Sequence, residues 1–303
     1  MASPPAAAEA FDFDAMLDAV GRLRQKQVFF VGGAPKSGTT WLQLLLNAHP
    51  QISCSGEGHF PDRLLPGMAR AMKEYNAIIS LKNRSIFDGL AGQSLLTYRH
   101  VFFLTAATIS LMLDQPAKAR TTPVVGDKTP DNVRHFPLLA TLFPHAKFIH
   151  IVRDGRDCTV SAWFHNMRVD AAALTSRYPT LGDFAAYFAQ IWVENVSTGA
   201  KFATAQPGRC LAIRYEDLSQ RPAELLAVLC AFLGASHDPA VVQACCEAAD
   251  FSALCGGRPR GLEDRGSFFR RGTSGDWRTH FDAATDQAFR AKADPWMSGF
   301  RYV

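Results

Sequence analysis

The residues best suited to chemistry lie in a short loop near the N-terminus, between an apolar run and a helical pattern. The run Val28–Val31 ends in two glycines, and the loop then carries Lys36 and the hydroxyl groups of Ser37, Thr39 and Thr40. A helix is expected from about Thr39, so its free N–H groups and the positive end of its dipole point into the loop. The loop therefore predicts a site for a phosphate or a group of similar shape.

The spacing of this loop differs from that of a Walker phosphate-binding loop, G-x-x-x-x-G-K-[ST]. Gly33 and Gly38 have the spacing of its two glycines, but Thr39 stands where its lysine belongs, and the lysine lies inside the loop at Lys36. An amine at that place can reach the outer side of a diphosphate-like group. Thr40 remains available as a magnesium ligand, so the loop alone leaves a metal-dependent kinase open.

A second set of anion-binding side chains follows a later apolar run. Arg153 closes a predicted strand, and Ser161 lies eight residues further on, inside the predicted helix, so both can hydrogen-bond one phosphate. Near the C-terminus, Arg270 and Arg271 precede Gly272 on a predicted turn and add two guanidinium groups. A ligand with two separated anionic groups fits this pattern best.

Two alternatives for the second set remain open from the residues alone. Arg153 can pair with Asp154 or Asp157 instead of a ligand, and Asp154 at the strand tip could hold magnesium in a kinase. If the arginines do bind phosphate, aromatic residues between the two anionic groups are suited to a nucleotide base. Trp41 is the nearest of these to the first loop.

Strand patterns and helical patterns alternate along the chain and indicate how these side chains are positioned. The predicted extended segments cover residues 28–31, 51–60, 123–128, 146–152 and 210–215. This alternation predicts an α/β fold with a mainly parallel sheet and helices on both faces. Ligands of such sheets bind at the carboxyl ends of the strands. Lys36, Lys128, Arg153 and Tyr215 all lie at or just beyond predicted strand ends.

Composition narrows the class of protein. The 303 residues are 48% hydrophobic and carry a formal net charge of +4, which is ordinary for a globular protein and too mild for a dedicated nucleic-acid binder. The seven cysteines form no CxxC pair, and no metal site is expected. The longest apolar run, Val101–Leu113, is too short to span a bilayer and is predicted to be a buried helix. These features, with no secretory signal at the N-terminus, predict a cytoplasmic protein.

Four segments in order along the chain resemble the family of sulfotransferases that use 3′-phosphoadenosine 5′-phosphosulfate (PAPS). The segments are Pro35–Trp41, Ile151–Asp157 with Ser161, Tyr215–Leu218, and Arg270–Phe281. The resemblance implies that PAPS is the co-substrate, that 3′-phosphoadenosine 5′-phosphate (PAP) is the product, and that no metal is required. The residues it assigns to the nucleotide are Pro35, Lys36, Ser37, Gly38, Thr39, Thr40, Trp41, Arg153, Ser161, Tyr215, Phe251, Arg270, Arg271 and Gly272.

The resemblance also indicates which branch of the family supplies the catalytic base. The phenol and steroid branch has a Lys-Thr-His segment with a catalytic histidine, whereas this chain has Lys128 followed by Thr129 and Pro130. The segment around Glu57 is similar to the Gly-Glu segment of carbohydrate- and tyrosylprotein-type members, in which the glutamate is the base. Glu57 is therefore expected to be the base, with His59 as the second candidate, and Lys36 and Lys128 are expected to stabilise developing charge.

The resemblance implies a single P-loop-like domain with three α/β/α layers. We expect a tail and helix at residues 1–25, with residues 1–10 disordered, and the sulfotransferase domain at 26–303, in which residues 60–115 form a helical block around the acceptor pocket. The acceptor is expected to be a hydroxyl or amine of a small molecule or carbohydrate, with no nucleic-acid partner and no membrane span. A homodimer, a magnesium-dependent P-loop kinase and a nucleotide-binding regulator without chemistry are left open.

Overall fold

The computed structural model describes residues 11–88, 90 and 92–302, and its centre is a sheet of five parallel strands. The strands are β1 (Gln27–Gly32), β2 (Ile52–Gly56), β3 (Val124–Lys128), β4 (Lys147–Val152) and β5 (Cys210–Arg214). They lie side by side in the order β2-β3-β1-β4-β5. The central strand β1 pairs with β3 on one side and β4 on the other, so Phe29 lies opposite both Gly126 and Lys147.

Helices connect and cover the strands. They are α1 (Phe13–Leu23), α2 (Thr39–Ala48), α3 (Leu65–Ser85), α4 (Tyr98–Asp114), α5 (Ala117–Thr121), α6 (Phe136–Leu142), α7 (Gly155–Arg177), α8 (Leu181–Ala205), α9 (Tyr215–Gln220), α10 (Pro222–Leu233), α11 (Pro239–Ala248), α12 (Phe251–Leu254) and α13 (Ala283–Gly299). Short π or 3₁₀ turns cover Phe60–Leu64, Pro130–His135 and Asp276–Thr279.

Both faces of the sheet are buried, as a parallel sheet requires. Phe29 and Val31 point to one face, where α2, α10 and α11 cover them, and Phe30 points to the other, where α4, α6 and α8 pack. A third apolar cluster joins α7, α8 and α13 at the end of β4, around Trp192 and Phe289. The predicted α/β fold, with three α/β/α layers around a parallel sheet, is confirmed.

One element departs in part from the sequence expectations. The helix expected at Val101–Leu113 is present as α4, but it is only partly buried, because one face packs against the protein while Phe103 and Leu104 are exposed. The predicted tail, residues 1–10, lies outside the described residues. Within the part of the chain that the structure covers, no helix is long and apolar enough to cross a membrane.

The C-terminal end of the chain is fastened to the sheet by a buried carboxylate. Glu216 accepts a hydrogen bond from the backbone N–H of Asp154 (3.0 Å) and another from the hydroxyl of Tyr302 (2.8 Å). Burial raises the pKa of this carboxyl group above its ordinary value. The tyrosine hydroxyl also lies 3.2 Å from the carbonyl oxygen of Val152. These contacts hold the backbone at the end of β4, where Arg153 leaves the sheet.

Replacing Tyr302 by Phe should destabilise the fold, because it leaves one oxygen of a buried carboxylate without its donor. We expect the free energy of unfolding in urea to fall by about 1–3 kcal/mol. The matched control is Tyr98→Phe, whose ring is 67% exposed and which should change stability by less than about 0.5 kcal/mol. Equal stability of the two variants would contradict the fastening role of Tyr302.

Candidate active site

A cleft of about 420 Å³ opens at the carboxyl ends of the strands and brings the separate sequence segments together. The predicted residues that line it are Pro35, Lys36, Gly38, Thr39, Thr40, Trp41, Glu57, Arg153, Ser161, Tyr215, Phe251, Arg270, Arg271 and Gly272. Three predicted residues, Ser37, Lys128 and His59, lie beside the cleft rather than in its wall. The parallel sheet explains the convergence, since every strand ends at the same edge.

The phosphate loop has the backbone geometry that its glycines allow. Gly38 directly precedes α2 and has φ 96°, a left-handed conformation that L-residues rarely adopt. A Cβ atom at that position would lie 2.4 Å from the ring of Tyr215. The first turn of α2 therefore faces the cleft with free N–H groups, as predicted for an anion site.

Ser37 was expected to contact the nucleotide, but its side chain does not reach the cleft. Its side chain is completely buried, and its backbone N–H donates to the carbonyl oxygen of Ala34 at 3.1 Å. A Cβ atom on Gly33 would lie 2.7 Å from the Ser37 hydroxyl, so the side chain packs beneath the loop. Ser37 supports the shape of the loop, whereas Thr39 and Thr40 line the cleft.

Lys36 carries the ammonium group of the loop in a strained and partly desolvated position. Its φ of 67° is left-handed, and its Nζ lies 4.8 Å from the centre of the Phe268 ring. Burial, followed by the nearby charges of Arg168 and Arg153, lowers the pKa of Lys36 to about 8. A bound anion would favour the charged form and offset this effect.

Glu57 and Lys128 form an ion pair beside the phosphate loop. Lys128, at the end of β3, is buried, and its Nζ lies 2.6 Å from Glu57 Oε1 and 3.3 Å from Thr40 Oγ1. The Glu57 side chain is 49% exposed, so its second oxygen remains accessible. One amine therefore joins a half-exposed carboxylate to the phosphate loop.

The backbone around Glu57 is held by strand β3. The Glu57 N–H donates to the carbonyl oxygen of Lys128 at 2.7 Å, and the Gly58 N–H donates to Asp127 Oδ1 at 2.9 Å. Asp127 is buried and also accepts bonds from Thr129 and Asn132, both at 2.8 Å. Burial raises the pKa of the Asp127 carboxyl group. The first residue of the Asp-Lys-Thr-Pro segment therefore supports the loop that carries Glu57.

His59 lies behind Glu57 rather than in the cleft. Its Nδ1 lies 3.1 Å from Asp62 Oδ2, and its Nε2 lies 3.8 Å from Glu57 Oε2. Both Glu57 and His59 have positive φ angles, 46° and 47°, so the loop turns sharply between them. This geometry gives Glu57 the exposed position expected of a base and makes His59 its neighbour.

Arg153 leaves the end of β4 and lies across the floor of the cleft. Its guanidinium group donates to the carbonyl oxygens of Thr273 (2.9 Å) and Lys36 (3.3 Å) and stacks 4.4 Å from the centre of the Tyr215 ring. Asp157 is 3.9 Å away, beyond hydrogen-bonding distance. Ion pairing with Asp157 is therefore a weak competitor for a ligand at Arg153.

The two aspartates that follow Arg153 have structural partners. Asp154 binds the side chain of Arg156 at 2.8 Å and 3.1 Å, and that guanidinium stacks 3.5 Å from the centre of the Trp277 ring. Asp157 accepts hydrogen bonds from the backbone N–H groups of Gly275 (2.7 Å) and Trp277 (3.0 Å). Because Arg156 occupies Asp154, this carboxylate is poorly placed to hold magnesium.

The comparison with known proteins agrees with this geometry. A model of the sulfotransferase family matches residues 28–239. The chain belongs to the sulfotransferase family. Protein-tyrosine sulfotransferase 1 of Danio rerio is 27% identical over 215 residues, which cover 71% of this chain and 55% of that protein. Protein-tyrosine sulfotransferase 2 of Gallus gallus is 25% identical over 219 residues, covering 72% and 54%. The chain thus spans about half the length of these curated relatives.

Solved structures of sulfotransferases share the fold at low sequence identity. Mouse sulfotransferase SULT7A1 complexed with PAP superposes with a TM-score of 0.55 at 19% identity, covering 93% of this chain and 90% of that one. The sulfotransferase domain from the curacin biosynthetic pathway gives a TM-score of 0.52 at 18% identity, with coverages of 92% and 98%. At such identities the likeness establishes the fold alone.

The C-terminal arginines line the cleft, and carboxylates lie beside them. Arg270 and Arg271 both pair with the buried Asp276, and Arg270 also lies 2.5 Å from Glu263. Gly272 has φ 71°, and a Cβ atom there would lie 2.4 Å from the ring of Phe251. Asp276, like Asp157, therefore fixes the C-terminal segment over the cleft.

An aromatic slot lies between the phosphate loop and the C-terminal segment. Trp41 is held by a hydrogen bond from its ring N–H to the carbonyl oxygen of Ala249 (2.9 Å) and meets Tyr215 edge-on at 5.7 Å. Phe251 forms another wall, and the guanidinium of Arg260 lies 5.6 Å from the Trp41 ring and 5.5 Å from the Phe251 ring. The slot has the flat apolar walls that a nucleotide base requires.

Several residues of the cleft were missed by the sequence reasoning. They are Pro130, His165, Leu254, Arg260, Phe268, Phe269 and Thr273. His165 follows Ser161 by one helical turn, so the helical repeat of α7 could have placed it on the same face. The others, apart from Pro130 and Leu254, lie in the irregular segment before and around the C-terminal arginines, where no periodic pattern indicates which side chains point inward.

The lowered pKa of Lys36 predicts a pH dependence of anion binding. In the free protein the amine is charged below pH 8 and becomes neutral above it. The affinity for PAP should therefore change little with pH just below pH 8. Above pH 8 it should fall, approaching about tenfold per pH unit. Calorimetric titration with PAP across this range measures the effect.

The matched control is Lys36→Arg, because a guanidinium stays charged through the whole range. The decline above pH 8 should disappear in this variant. An identical decline in both proteins would assign it to another group.

Proposed function

We propose that this protein transfers a sulfuryl group from PAPS to a hydroxyl group of an acceptor. The observation that carries the proposal is the amine of Lys128, which contacts both the half-exposed Glu57 and the phosphate loop at Thr40. The half-exposed carboxylate beside the anion site favours a catalytic protein over a nucleotide-binding regulator without chemistry. Membership of the sulfotransferase family supports the same reaction class.

The residues present fit PAPS at each of its parts. The loop before α2 offers N–H groups and Lys36 to the 5′-phosphosulfate, and the slot at Trp41 and Phe251 suits adenine. Arg153 and Ser161 lie in the same cleft and suit the 3′-phosphate. The solved relative SULT7A1 is described as complexed with PAP, the product of such a transfer.

The proposal gives each side chain a role in the reaction. When bound, PAPS supplies an activated sulfuryl group and a phosphate leaving group. Glu57 takes the proton of the acceptor hydroxyl through its accessible oxygen while Lys128 holds the other oxygen in place at 2.6 Å. Lys36 and Lys128 stabilise the negative charge that develops between the two groups, and the N–H groups of α2 hold the phosphate still.

We propose a tyrosine hydroxyl of a protein as the acceptor. The curated relatives from Danio rerio and Gallus gallus are named as protein-tyrosine sulfotransferases, which favours tyrosine over the expected small molecule or carbohydrate. A phenol with a pKa of about 10 also loses its proton to a carboxylate more readily than an alcohol does. The exposure of Glu57 leaves room for a side chain presented by a polypeptide.

The acceptor is tested with labelled PAPS and paired peptides. A tyrosine peptide should take up label, whereas the same peptide with phenylalanine at that position should not. Transfer to a sugar but to no tyrosine peptide would refute the tyrosine proposal and keep the sulfotransferase. Magnesium-dependent turnover of ATP, without any transfer from PAPS, would favour the kinase instead.

Glu57→Gln should remove the base while it preserves the shape of the side chain. We expect kcat to fall by about 10²- to 10⁴-fold. Affinity for PAP should stay within a factor of about three, since an amide oxygen can still meet Lys128.

The control for this change is Glu224→Gln, an exposed carboxylate that pairs only with Arg221 among the described residues and should leave kcat unchanged. Unchanged turnover in Glu57→Gln would exclude Glu57 as the base.

Arg153→Gln should weaken binding of the 3′-phosphate in particular. In the unaltered protein PAP should bind more tightly than adenosine 5′-phosphate, and this advantage should shrink by about 10- to 100-fold in the variant. Calorimetry with both nucleotides separates this effect from general damage, because only the ratio of the two affinities reports on the 3′-phosphate. Ser161→Ala should reduce the same ratio by a smaller factor, and an unchanged ratio in Arg153→Gln would place the 3′-phosphate elsewhere.

A further inference from the structure

Helix α3 is 21 residues long and has no buried residue. Every other helix of ten or more residues that the structure describes buries at least one side chain. The main neighbours of α3 are the turn at Phe60–Leu64, from which it begins, and α4. One long side of α3 therefore has no partner among the described residues.

Large apolar side chains lie on this exposed side and continue beyond the end of the helix. Tyr75, Ile78 and Leu81 are 44%, 56% and 60% exposed, and their spacing places them within about a third of the helix circumference. Past the end of α3, Ile86 and Leu90 are 66% and 77% exposed. The exposed apolar residues that follow these are Phe87, Leu95 and Tyr98. An apolar group of this extent marks an interaction surface.

The described part of the segment between α3 and α4 is folded back along α3 by two asparagines. The side chain of Asn76 donates to the carbonyl oxygen of Leu96 at 2.7 Å and accepts from its backbone N–H at 2.9 Å. The side chain of Asn83 donates to the carbonyl oxygen of Gln93 at 2.9 Å. These bonds keep the apolar residues of the segment beside those of α3. We call residues 81–98 the hairpin tip.

The charges on and around the hairpin tip are mainly positive. The basic residues between positions 70 and 99 are Arg70, Lys73, Lys82, Arg84 and Arg99, and the acidic residues are Glu74 and Asp88. None of these five cations forms an ion pair with a described residue. The excess of three positive charges therefore remains available to a partner.

We propose that the hairpin tip docks onto a membrane surface that contains anionic phospholipids. Leu81, Ile86 and Leu90 enter the boundary between the head groups and the acyl chains. Tyr98 lies at the level of the head groups, where amphipathic rings are favoured. The unpaired cations meet the negative charge of the lipids. The tip lies on the membrane and does not span it.

A second copy of this chain fits the hairpin tip less well than an anionic membrane does. A twofold axis through the tip would bring the same positive excess together from both sides. Lipid head groups instead supply the opposite charge around an apolar layer.

The hairpin tip is also distinct from the catalytic cleft. The 21 residues of α3 span roughly 30 Å, so the end of the helix lies far from its start near Glu57. No residue of the hairpin tip lines the cleft. The membrane proposal therefore does not depend on the proposed reaction.

Sedimentation of the full chain with lipid vesicles tests the proposal. Vesicles with equal parts of phosphatidylserine and phosphatidylcholine should bind the protein at least about tenfold more tightly than vesicles of phosphatidylcholine alone. Binding should weaken in about 1 M salt, where the Debye length falls to about 3 Å.

Leu81→Glu tests the apolar contact. This variant should bind the mixed vesicles at least about tenfold more weakly, because a carboxylate replaces an inserted leucine and is repelled by anionic lipid. Its unfolding temperature should match that of the unaltered protein, since the side chain is mostly exposed. The control Val228→Glu changes a valine on α10 that is 47% exposed and should leave vesicle binding unchanged.

Lys82→Glu tests the charge contact against Lys201→Glu, which alters an exposed lysine on α8. Both variants change the net charge of the chain by the same amount. Lys82→Glu should weaken binding to the mixed vesicles by about fivefold or more, whereas Lys201→Glu should change it much less. If Leu81→Glu lowers the unfolding temperature, this pair of exposed lysines decides the question.

Three results would overturn the proposal. The unaltered protein could bind both kinds of vesicle equally or not at all, or the two lysine variants could lose binding equally. A dimer in solution that Leu81→Glu separates, without any binding to vesicles, would assign the hairpin tip to a second copy instead.

Discussion

The buried amine of Lys128 is the contact on which the site depends. It lies at the end of β3, which is flanked by β2 and β1, and it reaches Glu57 beyond β2 and Thr40 beyond β1. This order of strands brings the two partners to one amine. A buried cation is stable only when it is well paired and hydrogen-bonded, so Lys128, Glu57 and Thr40 hold one another in place.

The cations of the cleft are stabilised in two different ways. Arg270 and Arg271 share the buried Asp276, and Arg153 lies between backbone carbonyl groups and the face of Tyr215. Lys36 has no such carboxylate against it among the described residues, and its lowered pKa reflects the cost of keeping it charged there. The phosphate loop therefore carries the positive charge that gains most from an incoming anion.

Much of the fold, the phosphate loop and the cations at the strand ends could be predicted from the sequence because they depend on local patterns. The apolar run before Lys36, the glycines and the start of α2 form one contiguous unit, and strand ends in a parallel sheet meet without further information. Lys128 could be placed at a strand end from the pattern alone, but Glu57 could be named only through the family resemblance, and 71 residues separate the two. Their contact depends on the pairing of β2 with β3, which no local pattern reveals.

The remaining features depend on packing that the sequence does not display. Ser37 has the same hydroxyl group as its neighbours in the loop, yet the turn from Ala34 to Ser37 directs it inward against Gly33. Arg260 and Phe268 enter the cleft because Asp157 and Asp276 fasten an irregular segment over it. Such long-range hydrogen bonds of buried carboxylates leave no periodic trace along the chain.

The most direct measurement is a crystal structure of the protein with PAP. The account predicts the 5′-phosphate within about 2.7–3.2 Å of the N–H groups at the start of α2, with the Lys36 amine beside it. It also predicts the 3′-phosphate against Arg153 and Ser161. A nucleotide bound with its 3′-phosphate in solvent, or with the Lys36 amine turned away from the 5′-phosphate, would contradict the account.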